Sequence, residues 1–326
     1  MSDRPAGVRG AEGPATWENR FRDWFRSRRR GPLIVAHRGD SSHAPENTLE
    51  AGRCGHEAGA EAWEIDVQLS RDGVPVVIHD ESLLRTTDVA RRFAADPRAA
   101  SGFFVSDFDL EEILMLDAGA WFLEPGGGPR SAAGFGTIAR LDAEVRERCA
   151  SGAIRIPTLD EALRLTSRLD WMVNVELKSF PNTNPALLDA VLSDIDTTET
   201  ADRVLISSFD HADIARAAHL RPDIATGVLA ATPLARPEAY VRELVGADFF
   251  HPSTAVLGAD ADAYRRRPSP SALRASDLMA LRERGIPVLV YTVNDARRGG
   301  LAAHLVEAGA AGLFGDDPGR LRALFG

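Results

Sequence analysis

Two histidines in the first part of the chain have the setting of acid–base catalysts. His37 follows the apolar run 33–36, which predicts a short buried strand that ends in a loop. His79 follows the apolar run 75–78 in the same way. Imidazole titrates near neutral pH, so one ring could take a proton from an attacking oxygen while the other gives one to a leaving oxygen.

Carboxylates and a lysine accompany these histidines. Glu64 and Asp66 are separated by one residue, so both should project from the same side of a strand. Glu176 and Lys178 repeat this spacing farther along the chain. Carboxylate oxygens are the ligands that Mg²⁺ and Ca²⁺ prefer, so the three acidic residues are predicted to hold a divalent cation. With Arg38 and Lys178, such an ion could neutralise a reacting phosphodiester.

Each group also has a simpler explanation when it is taken alone. Glu64 and Asp66 could be a solvated surface pair, and Glu176 could only pair with Lys178. A single histidine at a strand end is more often structural, and that interpretation is favoured for His43, His56, His211, His219 and His304. His251 could line a pocket, but structural packing is the favoured interpretation there too. These alternatives leave the ordered spacing of the whole set unexplained.

The chain resembles the glycerophosphodiester phosphodiesterase family at these residues. The matching segments occur in family order from about Ile34 to Pro318, and they are AHRGDSSHAPENTLEA, WEIDVQLSRDGVPVVIHDESLLRTTD, LDAG, IPTLDEAL, VNVELK, LISSF, VYTVND and GLFGDDP. Only the N-terminal segment and a stretch near 120–155 fall outside the resemblance. Several short motifs at matched spacing are far more specific than any one of them.

The resemblance implies roles for individual residues. His37 and His79 would be the general acid/base pair, with the choice of acid and base left open, and Arg38 would contact the phosphate. The three carboxylates named above would bind Mg²⁺ or Ca²⁺, and Glu46 and Lys178 match polar positions that line or support the site. Family members cleave glycerophosphodiesters to glycerol 3-phosphate and an alcohol, and the glycerol hydroxyl next to the phosphate could attack first to give a cyclic phosphate.

Three departures from the family pattern stand out. Tyr291 replaces a common tryptophan, which would keep an aromatic wall for the substrate and add a hydroxyl. The pair Gly315-Asp316 stands where the family often has Thr-Asp, and we expect it to alter a loop and not the chemistry. An insertion at about 119–156, with a plausible helix at 138–149, could form a lid or a wall for the leaving alcohol.

Apolar runs alternate with helical segments as in a somewhat irregular α/β fold of the (β/α)8 TIM-barrel type, with the inserted segment after the third strand. The candidate strands number one more than a barrel needs, and they are 33–36, 64–66, 75–78, 173–177, 204–207, 224–229, 248–250, 288–292 and 312–314. Because the link from 66 to 75 is too short for a crossover helix, one unit must be irregular. The run 312–314 is predicted to be the surplus strand. Helices are predicted at 46–58, 159–168, 185–199, 210–219, 237–245, 276–284 and 296–308.

Residues 1–32 are predicted to form a separate N-terminal segment ahead of a single barrel domain at 33–326. Trp17, Phe21, Trp24 and Phe25 recur at helical spacing, with arginines interleaved through position 30. This basic aromatic helix could contact an anionic membrane surface through residues 17–30, or its aromatic side chains could seal the base of the barrel. Packing is favoured because the helix is short and precedes the first strand.

Composition indicates a cytoplasmic enzyme. The 326 residues carry a net charge of -10, which argues against nucleic acid as a partner. Only two cysteines are present, so a reducing compartment is expected. No apolar stretch predicts a membrane span or a signal peptide.

The sequence leaves three functions open. The leading prediction is metal-dependent hydrolysis of a small glycerophosphodiester. The alternatives are lysophospholipase D-like cleavage of a lipid at a membrane and a non-catalytic barrel that binds phosphodiesters. The identity of the alcohol group and the oligomeric state are not predicted.

Overall fold

The computed structural model describes residues 18–27, 31–124, 141–179, 184–259 and 275–326. Nine strands join in one sheet within these ranges. They are β1 (Leu33–His37), β2 (Ala62–Leu69), β3 (Pro75–Val77), β4 (Met172–Leu177), β5 (Val204–Ser208), β6 (Ala225–Ala230), β7 (Phe249–Pro252), β8 (Leu289–Val290) and β9 (Gly312–Gly315). The positions agree closely with the apolar runs of the sequence.

Eight of these strands are parallel and form a nearly closed barrel. Their order around the sheet is β7, β6, β5, β4, β2, β1, β9, β8. Parallel bridges between Phe250 and Val288 and between Ser253 and Tyr291 connect the two end strands, β7 and β8. The predicted TIM-barrel fold is therefore confirmed.

The surplus strand is β3, so the prediction for 312–314 was wrong. β3 pairs antiparallel with β2, with Leu69 opposite Pro75 and Val67 opposite Val77. β9 instead lies between β1 and β8 and completes the barrel. A short link cannot hold a crossover helix, but it suits the reversal between two antiparallel strands. The predicted insertion thus follows the third strand in chain order and the second strand of the barrel.

Helices separate most of the barrel strands. Their bounds are α1 (Arg20–Arg26), α2 (Leu49–Glu57), α3 (Val89–Arg92), α4 (Leu110–Ile113), α5 (Ala143–Ala150), α6 (Leu159–Arg168), α7 (Ala186–Thr198), α8 (His211–Leu220), α9 (Pro237–Ala239, continuing as a π-helix over Tyr240–Val245), α10 (Ala275–Glu283), α11 (Leu301–Glu307) and α12 (Pro318–Phe325). Thr158 and Glu161 form a capping box that fixes the start of α6. All seven predicted helices have a counterpart here, with ends that differ by up to five residues.

The N-terminal helix α1 covers the base of the barrel. Phe21 is fully buried in an apolar cluster with inward-facing strand residues, including Leu33 and Phe249. The Asn19 amide donates to the carbonyl of Val204 at 3.0 Å, which ties the helix to the start of β5. This is the packing that the sequence favoured. Trp17 and residues 28–30 lie outside the described residues, and membrane contact stays a prediction.

The predicted insertion is described on either side of residues 125–140. Helix α5 begins at Ala143, and residues 138–140 of the predicted helix lie outside the described ranges. Arg148 on α5 forms an ion pair of 2.6 Å with Glu50 on α2, so this end of the segment packs against the side of the barrel. The lid hypothesis stays a prediction.

The structure also bears on the expectations about a membrane span and about the two cysteines. Within the described ranges, we find no helix that combines the length and the apolar character needed to cross a membrane. Cys54 and Cys149 are both free thiols.

Candidate active site

The polar residues predicted from sequence gather at the C-terminal ends of the barrel strands. His37 is the last residue of β1, and Asp66 and Glu176 lie toward the ends of β2 and β4. His79 follows β3, which the hairpin brings back to the same edge. Parallel barrels place their active sites at this face, because the loops that follow each strand converge there.

Three carboxylates form the centre of the cluster. One oxygen from each of Glu64, Asp66 and Glu176 lies within 4.8 Å of the others. All three are buried, with exposed fractions of 1%, 1% and 9%. Lys178 joins two of them, since its Nζ is 2.6 Å from Glu176 and 3.1 Å from Asp66. The interpretation of Glu64 and Asp66 as a solvated surface pair is therefore wrong. The pair of Glu176 and Lys178 does form.

Glu64 has one oxygen without a donor. Its Oε2 accepts from the backbone N–H of Arg38 at 2.9 Å, but its buried Oε1 has no hydrogen-bond partner among the described residues. Burial, together with the neighbouring carboxylates of Asp66 and Glu176, raises the pKa of Glu64 well above its usual value. A cation placed beside this buried carboxylate would stabilise its ionised form.

Asp66 has the opposite electrostatic setting. Burial by itself would raise its pKa, but the charges of Lys178 and Arg38 outweigh burial and lower the pKa below its usual value. The Asn47 amide donates to Asp66 Oδ2 at 2.8 Å, and the Asp66 backbone N–H donates back to Asn47 Oδ1 at 3.2 Å. Asp66 is thus held as an ionised carboxylate in a fixed orientation.

His37 is oriented by a residue from the end of the chain. Its Nδ1 lies 2.6 Å from Asp316 Oδ1, and the Asn294 amide donates to the other oxygen of Asp316 at 2.8 Å. A carboxylate at Nδ1 holds the proton there and leaves Nε2 to accept one. Asp316 is the residue that the family's Thr-Asp pair and this chain share, and it reaches the predicted catalytic histidine. The expectation that Gly315 in place of threonine leaves the chemistry unchanged stays a prediction.

His79 is oriented in a similar way by its neighbour. Its Nδ1 lies 2.6 Å from Asp80 Oδ1. Arg85 donates to both oxygens of Asp80, at 2.5 and 2.9 Å, and to both oxygens of Glu46, at 2.8 and 2.9 Å. Glu46 also accepts from Arg38 at 2.7 Å. A continuous set of charged hydrogen bonds therefore connects His79 with the predicted phosphate contact.

The backbone at Arg38 explains why the motif His-Arg-Gly occurs here. Arg38 has φ of 59°, a left-handed conformation that is uncommon for residues other than glycine. It turns the N–H toward Glu64 and the guanidinium toward Glu46. Gly39 follows with φ of 81°, and a Cβ there would lie 2.4 Å from the Ala51 carbonyl carbon. Only glycine fits between this turn and α2.

Tyr291 lies at the rim of the barrel interior, whereas His251 lies beneath the site. The Tyr291 hydroxyl donates to the carbonyl of Ala230 at 3.0 Å, and its ring meets Phe209 edge to face. His251 is fully buried against Phe314, and burial lowers its pKa to about 3. His251 is therefore a neutral packing residue and not part of the open pocket, as the favoured interpretation held.

Sequence reasoning missed four residues that orient the predicted site, namely Asn47, Asp80, Arg85 and Asp316. All four fall inside the segments that carry the family resemblance, so a signal was present. Their polar side chains are candidate partners for the histidines and for Asp66. The pairing itself could not be derived, since Asp316 is 279 residues from His37 along the chain.

This fold and this cluster define a class of protein. The parallel barrel holds buried carboxylates, two carboxylate-oriented histidines and two cationic side chains at its C-terminal end. This is the arrangement of a TIM-barrel hydrolase. The model of the glycerophosphoryl diester phosphodiesterase family matches residues 37–320. The chain therefore belongs to this family, and the prediction of a phosphoric diester hydrolase is confirmed.

Similarity to individual proteins agrees with that assignment. The chain is 31% identical over 289 residues to a glycerophosphodiester phosphodiesterase of Caldanaerobacter subterraneus subsp. tengcongensis, covering 88% of this chain and 94% of the relative. A glycerophosphodiester phosphodiesterase of Bacillus altitudinis is also 31% identical, over 88% of this chain and 95% of its own length. Among solved structures, an Oleispira antarctica phosphodiesterase in complex with the product sn-glycerol-3-phosphate matches with a TM-score of 0.66 and 27% identity, covering 90% of this chain and 96% of that one.

Proposed function

We propose that this chain hydrolyses small glycerophosphodiesters to glycerol 3-phosphate and an alcohol, with a divalent cation, Mg²⁺ or Ca²⁺, as its cofactor. The observation that carries the proposal is the pair of carboxylate-oriented histidines, His37 and His79, beside the cluster of three buried carboxylates. The structural relative with bound sn-glycerol-3-phosphate supports the substrate class. The prediction of a cytoplasmic enzyme is kept as part of this proposal.

The residues present fit a hard divalent cation. Glu64, Asp66 and Glu176 would hold it, since each offers an oxygen within 4.8 Å of the others. Within the described part of the chain, the three carboxylates face two cationic side chains, Arg38 and Lys178, and Glu64 Oε1 has no donor. A bound divalent cation supplies charge neutralisation for the phosphodiester.

The side chains of the chain then have distinct tasks. Arg38 binds a phosphate oxygen, and Glu46 fixes its guanidinium. One of His37 and His79 takes the proton of the attacking oxygen, which belongs to water or to the substrate glycerol. The other gives a proton to the alcohol oxygen as its bond to phosphorus breaks. Attack by the glycerol hydroxyl gives a cyclic phosphate, which a later attack by water opens to glycerol 3-phosphate. Tyr291 forms an aromatic side of the site.

The test is an assay of purified protein with glycerophosphocholine, glycerophosphoethanolamine, glycerophosphoglycerol and a lysophospholipid, with and without chelator. We expect release of glycerol 3-phosphate, with or without a transient cyclic phosphate, that chelator abolishes and Mg²⁺ or Ca²⁺ restores. His37→Ala and His79→Ala should each lose at least about a hundredfold in kcat. Phosphate release that is insensitive to chelator and to both substitutions would contradict the proposal.

The two alternative functions have weaker support. Lipid cleavage would require aromatic side chains at the membrane near the site, but α1 packs Phe21 at the opposite end of the barrel. Turnover of the lysophospholipid alone would nevertheless favour it. A non-catalytic barrel would be expected to have lost a histidine or a carboxylate, and each predicted position is retained.

A further inference from the structure

Asn174 lies inside the barrel beside the predicted metal ligand Glu64. The two residues are partners in register between β4 and β2. Each comes two positions after a strand residue of the interior apolar cluster, Met172 or Ala62, so alternation along the strands points both side chains inward. Both residues are only 1% exposed. The amide and the carboxylate are therefore neighbours that are shielded from solvent.

Each of these two side chains has one polar atom without a partner. Asn174 Nδ2 donates to Ser207 Oγ at 3.0 Å, but Asn174 Oδ1 has no hydrogen-bond partner among the described residues. Glu64 Oε1 is in the same condition, while Glu64 Oε2 accepts from the N–H of Arg38. A buried polar atom that stays unpaired destabilises the fold, so two of them on neighbouring side chains require an explanation.

Exchanging the two ends of the Asn174 amide would pair both atoms at once. The nitrogen and the oxygen of an amide occupy nearly the same space, so the exchange leaves the packing unchanged. Ser207 and Glu64 lie on the strands at either side of β4, so each end of the amide can face one of them. Asn174 Oδ1 then accepts from the Ser207 hydroxyl, and Nδ2 donates to Glu64 Oε1.

We propose that Asn174 is a positioning residue that orients the Glu64 carboxylate for the divalent cation by donating an N–H to Glu64 Oε1. This inference rests on the metal-dependent function proposed above. A carboxylate oxygen accepts from more than one direction, so this hydrogen bond leaves a position for the cation. The N–H of Arg38 at one oxygen and the amide at the other hold the carboxylate in one orientation, and the Ser207 hydroxyl holds the amide.

His251 is the competing partner for the amide inside the barrel. Both of its ring nitrogens lack a partner among the described residues. Gly227 pairs in register with Ser207, and a Cβ at Gly227 would lie 2.9 Å from His251 Nε2, so the ring lies beyond Ser207. In the sheet, His251 on β7 is three strands from Asn174, whereas Glu64 is on the adjacent strand. Direct contact therefore favours Glu64, and His251 could reach the amide only through a buried water.

The experiment measures the Kd of Mg²⁺ and of Ca²⁺ by isothermal titration calorimetry without substrate, and the Tm of each protein in chelator. Asn174→Leu keeps the branching of the side chain but removes both polar ends, and Asn174→Ser is too short to reach from Ser207 to Glu64. The control is Thr226→Val, which removes a buried hydroxyl that also lacks a partner but lies on the outer side of β6. His251→Leu tests the competing contact.

Both Asn174 variants should weaken cation binding by about tenfold to a hundredfold, which is the usual effect of removing a residue that orients a metal ligand. Thr226→Val and His251→Leu should leave the Kd unchanged. The Tm in chelator separates the two possible roles of Asn174. A residue that only supports the fold would lower this Tm without changing the Kd of the cation.

The outcomes separate this inference from the proposed function. A Kd in the Asn174 variants equal to that of the wild type would overturn the positioning role while leaving the metal site and the hydrolytic function intact. An equal loss in His251→Leu would also overturn it, because the amide would then act with His251. If one Asn174 variant does not fold, the Kd of the other decides. A wild-type protein that binds no divalent cation would instead remove the proposed cofactor and, with it, this inference.

Discussion

At the scale of single residues, the candidate site depends on two carboxylates that orient its histidines. Asp316 and Asp80 each lie 2.6 Å from Nδ1 of a predicted catalytic histidine. Burial opposes ionisation of Asp80, but hydrogen bonds from His79 and Arg85 outweigh it and lower the pKa of Asp80 below its usual value. Both rings are thereby held in one tautomer and one orientation.

Asp316→Asn should lower kcat by about a hundredfold or more and change KM by less than about threefold. The amide keeps the shape of the side chain but can donate to Nδ1, which favours the wrong tautomer of His37. Steady-state kinetics with the best diester would measure the effect. The matched control is Asp317→Asn, which changes the adjacent carboxylate that caps α12. A loss no greater than that of the control would contradict the assigned role.

Arg85→Lys should reduce kcat/KM by about tenfold to a hundredfold and alter its pH profile, because lysine keeps the charge but cannot bind two carboxylates bidentately. Arg85 is a positioning residue that acts through Asp80 and Glu46. Arg98→Lys is the control, since Arg98 holds Asp96 and Glu112 in a similar arrangement. If both variants lose only stability and keep the same pH profile, the role of Arg85 is structural.

At the scale of elements, the β2–β3 hairpin decides where His79 lies. A parallel strand would require a long crossover, which would carry the residues after Asp66 along the outside of the barrel. The antiparallel return instead brings residue 78 back beside Asp66, where the Ile78 N–H donates to the Asp66 carbonyl at 2.9 Å. The second histidine is thus placed next to the carboxylates by a turn and not by a β/α unit.

Helix α1 should contribute to the stability of the barrel. Phe21→Ala should lower the free energy of unfolding by about 3–4 kcal/mol, since it leaves a cavity under the inward-facing residues of the strands. Urea denaturation would measure this change. Trp24→Ala, at a partly buried position, should cost less stability.

Vesicle co-sedimentation of the protein with and without residues 1–32 tests membrane contact separately. Equal binding of the two forms would end that hypothesis.

Helix α7 carries a carboxylate that should weaken the fold at neutral pH. Burial, with a smaller contribution from Asp160, raises the pKa of Asp194 to about 6. A raised acid pKa means that the folded state binds the proton more tightly than the unfolded state does. The contribution of Asp194 to stability is therefore most favourable at low pH, and it becomes less favourable between about pH 4 and 6 as pH rises.

Asp194→Asn should therefore stabilise the protein at pH 7.5 by up to about 2 kcal/mol, once solvent screening is allowed for. The gain should shrink as the pH approaches ~4, the ordinary pKa of aspartate. Denaturation curves across this range would measure it. The exposed carboxylate Glu147 on α5 offers a control, and a gain independent of pH or equal in Glu147→Gln would contradict the explanation.

At the scale of the whole molecule, a chain with a net charge of -10 must bind an anionic substrate. Positive charge at the site therefore has to outweigh the overall negative charge of the chain. Arg38 and Lys178 supply part of it, and a divalent cation at the carboxylates would supply more. The barrel keeps these groups buried, where electrostatic interactions are screened less than they are at the surface.

Binding of that cation should stabilise the folded protein as a whole. A ligand that binds only the folded state adds about 2.7 kcal/mol at a hundredfold excess over its Kd, so Mg²⁺ or Ca²⁺ should raise the Tm by several degrees relative to chelator. Glu64→Gln should lose most of this shift. The control is NaCl at matched ionic strength. An equal shift with NaCl, or in the variant, would argue against the carboxylate cluster as the metal site.

The sequence by itself determined the fold class and most residues of the candidate site. Alternation of Glu64 with Asp66 and the positions of His37 and His79 at the ends of apolar runs are local features, so they are readable from the chain. Runs of apolar residues also fixed the strands, with 75–78 and 312–314 both correctly placed as strands. The partners of these strands in the sheet could not be predicted, because β3 and β9 are both short apolar runs in the sequence.

Only the tertiary structure decided how these elements combine. Closure of the barrel brings β9 beside β1, and this places Asp316 against His37 across 279 positions of sequence. Packing of the loop after β1 against the loop after β3 sets Arg85 between Asp80 and Glu46. A sequence pattern reports the conformation of each segment. Contacts between distant segments depend on the register and burial of the whole barrel, so they emerge only when it is assembled.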